Sequence, residues 1–121
     1  MSYDINLKNP DGTTVHFESP HQNGGGTQAV GGTTEAWFNI TYNYSTFFYR
    51  VLGEKGIRAI YGMTPAESIP VLCRAMADLG TDTDPDYWKA TEGNAALALQ
   101  GLVNIARLGV EQAPDSVWEG D

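Results

Sequence analysis

The sequence contains little cysteine, histidine or positive charge, and each shortage excludes a class of protein. Cys73 is the only cysteine, so the chain can form neither an internal disulfide nor a multi-cysteine metal site. His16 and His21 are the only histidines, and no G-x-S-x-G motif is present. We therefore predict that the protein is not an enzyme, that it has no catalytic residues, and that it uses no cofactor.

A metal site is the one alternative that the histidines leave open. His16, Glu18 and His21 lie close together in sequence, and His16 and Glu18 fall on the same face of a predicted strand. No fourth ligand suggests itself, and a polar strand edge facing solvent explains the same residues. We therefore predict no metal site.

Positive charge and long hydrophobic runs are also scarce. Seven Lys and Arg against fifteen Asp and Glu give a net charge of −8, which opposes binding to a polyphosphate backbone. No apolar run approaches the roughly 18 residues of a membrane span, and residues 1–7 do not resemble a signal peptide. We predict a cytoplasmic protein that binds neither duplex nucleic acid nor a membrane.

The densest aromatic stretch of the chain is WFNITYNYSTFFYR, at residues 37–50. Its first part alternates with period two, which is typical of a half-buried strand, and we predict one long strand over residues 34–44. Phe38, Ile40, Tyr42 and Tyr44 fall on the apolar face, and Asn39, Thr41 and Asn43 fall on the polar face. The spacing then changes to about 3.6, so we predict that Ser45 caps a short helix.

The remaining patterns predict a single α+β domain over residues 1–121. Alternating segments on either side of Asn9-Pro10-Asp11-Gly12 indicate an N-terminal β-hairpin. Together with the long central strand, the hairpin gives a three-stranded antiparallel sheet. A capping box begins at Thr64 and a second cap stands at Thr91, so two main C-terminal helices are predicted to cover the sheet.

Two further segments are predicted to lack regular structure. Residues 19–33 are rich in glycine and are interpreted either as a backbone cradle for an anion or as a connecting loop. Residues 110–121 are predicted to form a C-terminal tail, in which Trp118 is expected to dock on the core or on a neighbour.

The polar row of the central strand is the predicted ligand site. Its amide and hydroxyl groups recur about every 7 Å along a strand, two arginines follow, and an aromatic side chain could stack on a base. The predicted site comprises Asn39, Thr41, Asn43, Arg50, Arg58 and Trp88. The alternative is structural: the asparagines would bond neighbouring strands and the arginines would pair with the acidic surface.

Several blocks of the sequence resemble a group of small proteins encoded by tailed phages and prophages. These blocks are residues 39–44, 56–63, 67–70, 86–95 and 117–121, and DYWKATEGNA at residues 86–95 is the most specific. The resemblance implies a viral accessory protein that acts in the cytosol of the host bacterium. It supplies no catalytic or binding residues.

Small phage accessory proteins often antagonise host defence, so the resemblance adds a context to the ligand site. The expected function is a non-enzymatic, homo-oligomeric protein that sequesters a small polar or nucleotide-like ligand. A second hypothesis is an acidic inhibitor that binds a host protein through residues 78–86 and the terminal acidic residues. A third is a component of the virion or of its assembly.

Overall fold

The protein has an α+β fold, as predicted, with three helices and two small antiparallel sheets. The computed structural model describes residues 2–23 and 31–121. Its strands are β1 (Ser2–Lys8), β2 (His16–His21), β3 (Thr33–Glu35), β4 (Trp37–Thr41) and β5 (Val117–Gly120). Its α-helices are α1 (Ser45–Leu52), α2 (Pro65–Ala77) and α3 (Glu92–Gln112), with short 3-10 turns at Tyr42–Tyr44 and Gly56–Ile60.

The main sheet has three antiparallel strands in the order β4-β1-β5. The inward-facing side chains of β1 are Tyr3, Ile5 and Leu7, which are all buried because the helices cover this face. Phe38 of β4 and Trp118 of β5 complete the same apolar layer. The predicted three-stranded antiparallel sheet is therefore confirmed, although its strands are not the ones predicted.

The predicted hairpin forms at its turn and then separates. Gly12 N–H donates to Asn9 O at 2.9 Å, and Val15 N–H donates to Leu7 O at 2.9 Å. Beyond that point the edge of β1 is occupied, because Leu7 N–H donates to Ala36 O and β4 pairs with the rest of β1. The second hairpin strand, β2, therefore pairs with β3 in a separate two-stranded sheet.

The predicted central strand is divided into three pieces. The separate strands β3 and β4 replace its first part, and a 3-10 turn replaces its end from Tyr42 to Tyr44. The turn begins because Thr41 Oγ1 accepts a hydrogen bond from Asn43 N–H at 3.2 Å and so acts as its cap. α1 follows directly, so Ser45 is its first helical residue and Tyr44 is its N-cap.

The helices α2 and α3 begin where the sequence predicts. Thr64 and Glu67 form the reciprocal bonds of a capping box, and Thr91 Oγ1 accepts from Asn94 N–H at 3.1 Å. α2 continues through Pro70 as one helix, since a proline in the second turn removes only one backbone bond. α3 continues past Gly109, the predicted terminator. This glycine allows close packing, because a Cβ there would lie 2.8 Å from Leu7 Cδ1 and from Pro65 Cγ.

The segments predicted to be irregular contain regular structure where they are described. In the glycine-rich segment, residues 19–21 belong to β2, Thr33 begins β3, and residues 24–30 lie outside the described part of the chain. Residues 110–121 complete α3 and then form β5 instead of a tail. No helix in the described ranges is long and apolar enough to cross a membrane.

Trp118 attaches β5 to the core, which confirms that this tryptophan docks. It is completely buried, and its Nε1–H donates to Ser68 Oγ of α2 at 2.8 Å. The Ser68 hydroxyl in turn donates to Pro65 O at 2.8 Å, so both polar groups are satisfied inside the core.

We expect Ser68→Ala to lower the free energy of unfolding by about 1–3 kcal/mol, because it leaves the indole N–H buried without a partner. Urea denaturation of Ser68→Ala, Trp118→Phe and the double variant measures the coupling between the two side chains. A coupling energy near zero would contradict the buried hydrogen bond. Ser116→Ala is the matched control, because its hydroxyl bonds only to Ala113 O within its own turn.

Candidate functional site

The structure separates the six residues of the predicted site into two groups. Asn39 is only 8% exposed, and its Nδ2 donates to Ser2 Oγ at 2.8 Å and to Asp4 Oδ1 at 3.0 Å on the neighbouring strand. Arg58 also contacts β1, since its guanidinium lies 5.0 Å from the ring centroid of Tyr3, but Tyr3 points to the opposite face of that strand from Ser2 and Asp4. The Asn39 amide therefore donates its hydrogen bonds within the protein. The Thr41 hydroxyl also has a partner within the protein, because it caps the 3-10 turn.

The second group surrounds the acidic loop between α2 and α3. Asn43 Nδ2 donates to Trp88 O at 2.8 Å, and Trp88 itself is 40% exposed. Arg50 forms an ion pair with Glu92, and its hydrogen bond to that carboxylate is the largest contribution that lowers the pKa of Glu92. Asn43 N–H donates to Thr41 Oγ1, so the backbone connects the two groups, but among the described hydrogen bonds none joins a side chain of this group to Asn39 or Arg58.

The two histidines make structural contacts. His16 Nδ1 is hydrogen-bonded to Thr34 Oγ1 at 3.0 Å, and His21 Nε2–H donates to Glu35 O at 2.5 Å. Within residues 2–23 and 31–121, no three His, Cys, Asp or Glu side chains are placed to hold a metal ion.

A pocket of about 220 Å³ lies on α3, and none of the six predicted residues is among its lining residues. We call it the amide pocket, because four of the residues that line it carry carboxamides. Its lining residues are Gln22, Asn23, Phe38, Tyr87, Leu97, Gln100, Gly101 and Asn104. Leu97, Gln100, Gly101 and Asn104 share one face of α3, because residues three and four positions apart on a helix are neighbours.

Hydrogen bonds connect three of these carboxamides in a chain. Gln100 Nε2 donates to Asn104 Oδ1 at 2.8 Å, and Asn104 Nδ2 donates to Asn23 Oδ1 at 3.1 Å. Asn23 N–H then donates to His21 Nδ1 at 3.2 Å. The chain joins α3 to the end of β2, so the polar groups of the pocket have defined orientations before any ligand arrives.

Tyr87 forms the aromatic wall of the pocket. Its ring meets those of Tyr44 and Trp88 edge to face, with centroids 5.8 and 6.0 Å away. The Tyr44 hydroxyl also donates to Tyr87 O, which holds the backbone of the loop. Partial burial raises the pKa of Tyr87, so its phenol stays neutral at physiological pH.

Asn94 organises the loop that carries Tyr87. Its side chain is 1% exposed, and its Oδ1 accepts from Asp84 N–H at 3.1 Å. Its Nδ2 donates to Asp86 O at 3.0 Å and to Lys89 O at 3.1 Å. One amide therefore satisfies three backbone groups of the acidic loop. In the sequence, Asn94 stands out only as a polar residue in the first turn of a predicted helix.

We expect Asn94→Leu to lower the free energy of unfolding by about 1–3 kcal/mol, because three backbone groups of the acidic loop lose their partner. Asn104→Leu is the matched control in the same helix, since its amide is partly exposed and bonds only to side chains. Urea denaturation measures both variants. Equal losses of stability would contradict the role of Asn94.

Comparison with protein-family models, with curated proteins and with solved structures finds no significant match to this chain. The resemblance to phage-encoded proteins therefore stays a prediction, and the function has to be argued from the geometry of the pocket.

Proposed function

We propose that the protein is a non-enzymatic binding protein that sequesters a small polar ligand in the amide pocket. The supporting observation is the hydrogen-bonded chain of Gln100, Asn104 and Asn23 beside the ring of Tyr87. Ligand sites typically combine an apolar wall with a few polar groups that are held in place. In this proposal the ligand lies on α3, and not along Asn39 and Thr41, because Asn39 Nδ2 and Thr41 Oγ1 already form hydrogen bonds within the protein.

The proposal keeps the biological context that the sequence suggests. A sequestering protein needs no reacting groups, and it acts by binding its ligand more tightly than the ligand's normal receptor does. In this context the protein is a phage accessory protein in the bacterial cytosol, it antagonises a host signal, and it assembles as a homo-oligomer. Light scattering of the purified protein would test the oligomeric state.

Ligand binding is tested by thermal unfolding with a panel of nucleosides, nucleotides and monosaccharides. A ligand at about 100 times its dissociation constant stabilises the folded state by about 2.7 kcal/mol, which raises the melting temperature measurably. We expect Asn104→Leu to abolish this rise, because it removes the central amide of the chain.

Asn43→Leu is the matched control for this experiment. Its amide bonds to Trp88 O and belongs to the site predicted from the sequence, but it does not line the amide pocket. We expect the variant to bind as the unchanged protein does. If ligand binding required Asn43 and not Asn104, the proposal that the ligand binds in the amide pocket would be wrong, and the site predicted from the sequence would be favoured instead.

A second candidate function is the binding of a basic host protein. An apolar groove of about 240 Å³, with Met76, Leu79 and Leu97 among its lining residues, lies next to Asp82 of the acidic loop. Combined apolar and acidic surfaces suit a protein partner with exposed Lys or Arg. In this case a partner captured by the protein should dissociate at high salt. The partner should fail to bind the Met76→Asp variant, which alters the groove, and should still bind the Asn104→Leu variant, which alters only the amide pocket.

A further inference from the structure

We infer that the amide pocket recognises the uncharged edge of a planar nitrogen heterocycle of the nucleobase type, and that a phosphate on the ligand contributes nothing to binding. The inference rests on the proposed function, because it specifies the ligand class of the same pocket. It is carried by three properties of the described residues: the hydrogen-bonding groups left free, the shape of the pocket, and the positions of the cations.

The chain of amides leaves a defined set of donors and acceptors free. Gln100 uses one N–H towards Asn104, so its Oε1 is left to accept a hydrogen bond. Asn23 uses its Oδ1 to accept from Asn104, and no described residue accepts a hydrogen bond from its Nδ2. The acceptor of Gln100 and the donor of Asn23 lie at the two ends of the chain, with the Asn104 amide between them. They therefore suit a ligand that carries both donors and acceptors around its perimeter, as a nucleobase does.

The shape of the pocket favours a flat ligand. Two aromatic residues, Phe38 and Tyr87, line the pocket, and contacts with Tyr44 and Trp88 keep the ring of Tyr87 in place. Bases stack readily on such faces. The volume, about 220 Å³, lies below the roughly 300–1,000 Å³ of pockets for drug-sized ligands, so the pocket accommodates a single ring system.

The charges around the pocket do not favour a phosphate. Among the described lining residues none is Lys or Arg, and the sequence of residues 24–30 contains neither. Arg107 lies about one turn of α3 beyond Asn104, but it is exposed and does not line the pocket. Phosphate binding normally uses charge-assisted bonds from Arg or Lys, and the net charge of −8 adds repulsion.

Calorimetric titration tests the inference. The ligands are the four ribonucleosides, their 5′-monophosphates, ribose and inorganic phosphate, all at one ionic strength. We expect at least one nucleoside to bind and its monophosphate to bind no more tightly, within about threefold, because no cation meets the phosphate. Ribose and phosphate should give no signal.

Matched variants identify the groups responsible. Asn104→Leu and Gln100→Leu should each weaken nucleoside binding at least about tenfold, as expected for the loss of an oriented amide contact. Arg107→Ala should leave the affinity unchanged. Circular dichroism checks that each variant is folded. If one of the two amide variants fails to fold, the other still tests the inference.

Two results would overturn the inference but leave the proposed function intact. The first is a monophosphate that binds more than about tenfold tighter than its nucleoside and loses this advantage in Arg107→Ala, which would show a phosphate contact. The second is binding of monosaccharides alone, with dependence on Asn104. If no compound of either panel binds, both the inference and the proposed function fail.

Discussion

Helix α3 lies so close to the sheet and to α2 that no side chain fits at the points of contact. A Cβ on Gly101 would lie 2.1 Å from Cε2 of Phe38, and one on Gly109 would lie 2.8 Å from Cδ1 of Leu7. Ordinary contacts between carbon atoms are about 3.5–4.0 Å. The spacing between α3 and the sheet therefore depends on these glycines. Because Gly101 and Phe38 also line the amide pocket, the same contact determines the shape of the pocket.

Local patterns predicted the parts of the fold that depend on neighbouring residues. The capping box at Thr64 and the cap at Thr91 use side chains within one helical turn, so both helix starts were correct. Strand partners depend on distant residues, and the sequence did not indicate that β4 would occupy the edge of β1 that the hairpin needed. The alternation up to Tyr44 also predicted too long a strand, because Thr41 caps a 3-10 turn and the strand ends there.

The candidate site was harder to predict, because its residues come from four separate segments of the chain. The sequence pattern indicated a polar row along one strand, but Asn39 in that row donates hydrogen bonds to Ser2 and Asp4 of β1. This matches the structural alternative that the sequence left open. The amide pocket had one local signal, namely Gln100 and Asn104 four residues apart in the otherwise apolar part of α3 at residues 95–106, with glycine beside Gln100. Their partner Asn23 is 81 positions away from Asn104, a separation that no pattern reveals.

The central position of β1 has a consequence for the order in which the chain can fold. Of the described strands, β1 is synthesised first and its partner β5 is synthesised last, and Asp4 N–H donates to Asp121 Oδ1 across a separation of 117 positions. While a ribosome is still making α3, one edge of β1 has unpaired N–H and C=O groups, and Trp118 does not yet exist to cover the core. The nascent chain therefore displays a strand edge of the kind that chaperones and other chains can pair with. The sheet is completed only after residues 117–120 leave the exit tunnel.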